Sequence, residues 1–247
     1  MAKPVIRPIP LVQGPFEKSA HLYLVGFGQI VEVAYYVWFI DGLKEKIVVD
    51  AGVTAAVLAG AGFPGRGDIQ TLDEGMAKVG LKPSDIDTVV LTHLHHDHVA
   101  LAHRFTNARF VVQKSELEAA RRAHPVWALT YRLQKEMDDL NYDIIEGDKQ
   151  LAPSVSLLHV PGHTPGTQAV VMDTARGTAV VTGFCCIPEN FCPSEEIRKG
   201  KHWPDVIPPG AHVDVQLAYD SAVRVKKLAK ILIPVHSTEF LERPTIP

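Results

Sequence analysis

Apolar residues fall along this chain in short β-type runs separated by polar, turn-forming stretches. In EVAYYVWFIDGLKEKIVVDAG, Glu32 to Gly52, two runs rich in β-branched and aromatic residues, Tyr35 to Ile40 and Lys46 to Val49, flank a connection containing Asp41 and Gly42. That pattern predicts a hairpin. Residues 72–79, LDEGMAKV, predict a short helix ended by Gly80, and KPSDIDTVVL predicts one helical turn and then a strand over Asp87 to Leu91. A strand over Arg109 to Val112 follows. The next helix is expected from about Ser115 to Ala123, where Ser115 and Glu118 stand at capping-box spacing. Val126 to Leu140 predicts a further helix.

The second half returns to strands at Ser156 to Val160, Thr167 to Met172 and Thr178 to Thr182, separated by the turn-rich PGHTPG and DTARG. Residues 185–211, CCIPENFCPSEEIRKGKHWPDVIPPGA, carry five prolines and no clear period. A long irregular segment of this kind often forms a lid or pocket wall. A helix from about Asp214 to Lys230 and a strand from Ile231 to Val235 close the pattern. Two sheets covered by helices explain this order, and no internal repeat or linker divides residues 1–247, so one domain is expected.

Composition narrows the function. The chain has 247 residues, 46% of them hydrophobic, and a formal net charge of -3 from 25 basic and 28 acidic residues spread along its length. That supports a large core and offers no basic stripe for nucleic acid; a small, roughly neutral substrate fits best. The start is broken by Pro4, Pro8, Pro10 and Pro15, and the most apolar stretch, Ile30 to Ile40, contains Glu32 and is too short to cross a bilayer. A cytoplasmic protein without a membrane anchor is expected. The three cysteines, Cys185, Cys186 and Cys192, lie too close together for a disulfide framework.

The chemistry concentrates in THLHHDH, residues 92–98, directly after the apolar Val89-Val90-Leu91. Residues two apart on an extended backbone share a side, so His93 and His95 address one ion while Asp97 and His98 address a second. His163, in VPGHTPG, and His236, in ILIPVHS, each follow strand-like runs and stand ready to complete the cluster. Imidazole with carboxylate is a ligand set for zinc, with iron, manganese or cobalt as alternatives. His96, between the ligands, reads as exposed or structural rather than metal-bound. His21, His103, His124, His159, His202 and His212 lie in no motif.

His93-x-His95-x-Asp97-His98, with His163 and His236 downstream and VVDAG upstream, resembles the metallo-β-lactamase superfamily over nearly the whole chain. The resemblance implies an αββα sandwich, two mixed sheets flanked by helices, with the metal site at one edge. Length, YYVWFID and PVHS are most similar to the N-acyl homoserine lactonases and related lactone hydrolases. It places His93, His95 and His163 on a first ion and Asp97, His98 and His236 on a second, with Asp97 also catalytic and Asp50 a candidate support for the ligand loop. Two zinc ions are the expectation, one ion being the alternative. The implied reaction is attack of a metal-bound hydroxide on a lactone carbonyl. A cyclic amide, aryl ester or thioester as substrate, or a non-hydrolytic mononuclear metal protein, are the alternatives. Oligomeric state is open, a homodimer included.

One position departs from the family. Where a bridging aspartate is expected, the chain reads VVTGFCC, which puts Phe184 in that place and Cys185 one residue later. Cys185 is therefore a candidate replacement ligand with terminal geometry. The substrate-orienting tyrosine that lactonases of the family carry shortly afterwards is absent from CCIPENFCP. Trp203, Phe191 and Tyr219 are candidates for lining an apolar pocket, or for the core.

Overall fold

A computed structural model describes residues 3–63, 66–201 and 205–247. His202 and Trp203 lie outside the described residues.

One sheet contains β1 (Val5–Glu17), β2 (Ile30–Asp41), β3 (Ile47–Val49), β4 (Thr88–Val90), β5 (Arg109–Gln113) and β6 (Tyr142–Ile145), in that order. The first three strands pair antiparallel and the last three join in parallel. The other sheet contains β7 (Lys149–Ala152), β8 (Val155–His159), β9 (Gln168–Thr174), β10 (Gly177–Val181) and β11 (Ile231–Ile233), antiparallel except for the parallel pair of β10 and β11. The helices are α1 (Lys18–His21), α2 (Ala55–Gly60), α3 (Leu72–Lys78), α4 (His96–Val99), α5 (Lys114–Arg121), α6 (Glu195–Lys201) and α7 (Val215–Leu228). None is long and apolar enough to cross a membrane, among the described residues.

β2 shows how the layers arise. Its side chains alternate, so Ala34, Tyr36, Trp38 and Ile40 face Leu157, Val170, Met172 and Val181 of the second sheet. Tyr35, Val37 and Phe39 face the other way, toward Leu58, Met76 and Leu117 under the helices. A strand covered on both faces needs apolar residues at every position, which is why this run does not alternate in sequence. On the far side α7 lays Ala222 and Val225 over Val160, Ala169 and Val180. Each fully buried Val, Ile or Leu in these layers contributes about 1.5–3 kcal/mol by leaving water. The expected αββα arrangement is the one observed.

Several local expectations change. The proline-broken start, for which the pattern predicts no element, forms β1. Its prolines are tolerated because β1 is an edge strand, with a register shift between Pro10 and Val12. The helix expected from Ser115 begins at Lys114 with Gln113 as its cap, and no capping box forms. Ser115 Oγ instead donates to the Pro165 carbonyl at 3.2 Å. Val126 to Leu140 is not a helix but two 3-10 turns, Pro125–Trp127 and Gln134–Met137. Tertiary bonds compete there: Thr130 O accepts from His96 N at 2.8 Å, and Tyr131 Oη donates to Glu116 Oε1 at 3.0 Å. The irregular segment contains α6 and a 3-10 turn at Pro188–Asn190.

Candidate metal centre

The candidate ligands gather because each loop leaves the end of a strand on the same side of the sandwich. Thr92 to His98 follow β4, and α4 starts with His95 as its cap. Asp50, just after β3, has a positive φ of 59°, a backbone state that Asp tolerates better than most residues. From there Asp50 Oδ1 accepts from Thr92 N at 2.8 Å, and Oδ2 accepts from Thr92 Oγ1 at 3.0 Å and from His98 Nδ1 at 2.7 Å. Its role is thus more than a turn. His163 follows β8 in a loop that runs close against α7. A Cβ on Gly162, whose φ is 124°, would stand 2.1 Å from Ala218 N, so only glycine fits. His236 follows β11, with its N–H on the Cys186 carbonyl at 3.2 Å.

Two groups of donor atoms result, His93 with His95 and His163, and Asp97 with His98 and His236, each within 4.8 Å of one another. The hydrogen-bond network assigns the ring protons. Thr92 Oγ1 gives its proton to Asp50 and accepts from His93 Nδ1 at 3.1 Å. His163 Nδ1 donates to the Ala211 carbonyl at 2.6 Å, and His236 Nδ1 to the Ala34 carbonyl at 3.3 Å. That leaves bare lone pairs on His93 Nε2 and His163 Nε2, which face each other at 3.2 Å. Two acceptors so close repel unless a cation lies between them, and neighbouring ligands of a tetrahedral zinc stand roughly 3.3 Å apart. The donor set fits a metal ion.

Electrostatics agree. Burial pulls His93 and His95 well below the ordinary imidazole range, helped by the neighbouring histidines. Burial likewise lowers His163 and His236 to about 4. His98 differs: burial pulls it down, but the carboxylates of Asp97 and Asp50 outweigh this and push it up to about 10. His98 Nε2 lies 3.2 Å from Asp97 Oδ2. Burial would raise Asp97, yet the charge on His98 holds it well below the usual carboxylate range.

Glu116, read from sequence only as part of a helix, ties this end together. Its Oε1 accepts from Leu94 N at 2.9 Å and Tyr131 Oη at 3.0 Å; Oε2 accepts from Thr164 Oγ1 at 2.6 Å and Gly166 N at 3.0 Å. One buried carboxylate therefore joins the loops that carry His95 and His163. Burial pushes its pKa up, and these donors only partly offset the rise.

Cys185 lies in neither donor group. Its thiol faces His21 Nδ1 at 3.1 Å, and burial, then Asp97, pushes it well above the usual thiol range. The replacement-ligand expectation placed this thiol beside Asp97, His98 and His236; the chain turns after β10 so that Cys185 instead meets His21 of α1, and it lines the same cavity as Asp97. Phe184 packs against Phe191, 5.8 Å between ring centroids, within the apolar cluster beneath α7. Phe191 and Tyr219 belong to that cluster, not to the pocket. His21, which no motif marks, is buried with its ring 5.5 Å from that of His236. His96 is structural: it stacks on Phe63 and its Nδ1 donates to the Thr130 carbonyl at 3.3 Å.

Above the two groups lies a cavity of about 360 Å³. Its walls are apolar, supplied by Phe16, Ala20, Leu58, Phe63, Trp127 and Ala211, while the histidines and Asp97 form the floor. Such a chamber takes a small molecule with an apolar substituent and presents its polar end to the ligand groups.

Comparison with known proteins agrees with this geometry. The family model described as Metallo-beta-lactamase superfamily matches residues 30–234. An N-acyl homoserine lactonase from Bacillus sp is 28% identical over 214 residues, 81% of this chain and 78% of its own length. The N-acyl homoserine lactonase AiiA from Bacillus thuringiensis subsp. kurstaki is 27% identical over 221 residues, 84% of this chain and 81% of its own. Among solved structures, a quorum-quenching N-acyl homoserine lactone lactonase superposes with a TM-score of 0.77 at 27% identity, covering 98% of this chain and 95% of that one. An N-acyl homoserine lactone hydrolase with the product N-hexanoyl-L-homoserine bound at its catalytic metal centre is similar at a TM-score of 0.76 and 26% identity, covering 97% and 95%.

Proposed function

The chain belongs to the metallo-beta-lactamase superfamily, and on that premise we propose that it is a metal-dependent hydrolase that opens lactones carrying an apolar substituent, N-acyl homoserine lactones among them. The observation that carries the reading is the pair of three-donor groups on the floor of an apolar cavity. His93, His95 and His163 hold one ion, and Asp97, His98 and His236 hold the second. Zinc suits this set of imidazoles and one carboxylate. When bound, such ions make a hydroxide available near neutral pH and polarise the substrate carbonyl.

The chain's own residues do the rest. Phe16, Phe63, Leu58 and Trp127 exclude water from the substituent and orient the ring toward the floor. Asp97 is ionised, so its Oδ2 can take the proton of the hydroxyl newly added to the carbonyl carbon and return it to the departing alkoxide as the ring C–O bond breaks. Asp50 and Glu116 hold the ligand loops in place.

Metal analysis of the purified protein, combined with a lactone panel, tests the proposal. About two zinc equivalents per chain, with lactone turnover lost in His93→Ala, are expected. One iron and no hydrolysis of any lactone, ester or thioester would overturn it.

A further inference from the structure

The alternation of β2 sends its two adjacent tyrosines to opposite faces. Tyr36 points between the sheets, and its hydroxyl donates to the Ser237 carbonyl at 2.7 Å. Tyr35 points the other way and lines the cavity. Its ring packs edge-on against His236 with centroids 5.1 Å apart, and it also lines a small recess shared with Asp97, His98 and His236.

The Tyr35 hydroxyl makes no hydrogen bond to any described residue, in contrast to Tyr36 and Tyr131. Lining the cavity and engaged by no described side chain or carbonyl, this hydroxyl is free to donate to a molecule that enters. A phenol hydroxyl is protonated at neutral pH and can donate a hydrogen bond. Among the described residues that line the cavity, Glu17 offers a carboxylate and no comparable free hydroxyl. Thr130 directs its hydroxyl proton to the Trp127 carbonyl at 2.8 Å, Asp97 is an acceptor, and the Cys185 thiol is paired with His21.

We infer that Tyr35 contacts the substrate, its hydroxyl donating to the scissile ester oxygen on the Asp97 and His236 side of the cavity. The inference rests on the hydrolase reading and adds to it a substrate contact delivered by β2. Because charge builds on that oxygen as the ester breaks, the hydrogen bond strengthens toward the transition state and acts mainly on kcat.

Tyr35→Phe keeps the ring against His236 and removes the hydroxyl alone. With zinc-loaded protein, kcat for a lactone should fall about 10- to 100-fold with KM little changed. Metal content and melting temperature should match wild type. Calorimetry with N-hexanoyl-L-homoserine as the probe should show weaker binding by about tenfold or more. Unchanged kcat and unchanged probe binding overturn the assignment, as does a loss of activity fully explained by lost metal. A wild type that opens no lactone yet binds the probe through Tyr35 would sink the hydrolase reading alone. If wild type neither opens lactones nor binds the probe, both fall.

Discussion

Asp50 Oδ2 stands 2.7 Å from His98 Nδ1 although 48 positions separate the two residues, and the contact joins the end of β3 to α4. It fixes the imidazole so that Nε2 faces Asp97. The same carboxylate holds Thr92, so one residue sets the start and the end of the ligand loop.

Asp50→Asn keeps a side chain suited to the positive φ of 59° and removes the charge. Affinity for the second ion should fall about 10- to 100-fold, measured by competition with a chelating dye. Equal affinity would reduce Asp50 to a turn residue.

Stability of the metal-free protein should peak near pH 6–7. His163 and His236 titrate at about 4 in the fold against an ordinary 6.5, so their contribution is present above 6.5 and lost as pH falls through 4. His98 titrates at about 10, so its contribution is present below 6.5 and lost as pH rises through 10. Thermal melts of chelator-treated protein from about pH 4 to pH 10 check both limbs. A metal must displace the His98 proton, so metal affinity should rise with pH.

Glu116→Gln should cost about 2–4 kcal/mol, read from urea unfolding, because an amide NH2 would face donors that now meet a carboxylate. The loops of His95 and His163 lose their shared tie, and metal retention in the His93 group should weaken with it.

Cys185→Ala should leave metal content at the wild-type value, since the thiol pairs with His21 at 3.1 Å and stands outside both donor groups. Loss of one metal equivalent in this variant would restore Cys185 as a ligand.

The six side chains that gather in the two groups were legible in the chain because their information is local. His93, His95, Asp97 and His98 sit in one loop with a two-residue period, and His163 and His236 follow apolar runs that read as strands. The layered fold was legible for a similar reason: strands and helices announce themselves by period, and covered sheets follow from the need to bury their faces.

What the chain did not announce depends on contacts far apart in sequence. β1 carries prolines that deny a central strand, and only its edge position in the sheet makes them harmless. Glu116 looks like any helix carboxylate until the fold brings Leu94, Tyr131, Thr164 and Gly166 to it. His21 and Tyr35 stand in no motif, yet α1 and β2 carry them to the centre. Spacing and residue type by themselves determined which histidines and which aspartate would gather and that they would lie after strand ends. Only the tertiary structure decided which carboxylates hold them, where Cys185 turns and which tyrosine lines the cavity, because a side chain's partner is set by how distant segments pack.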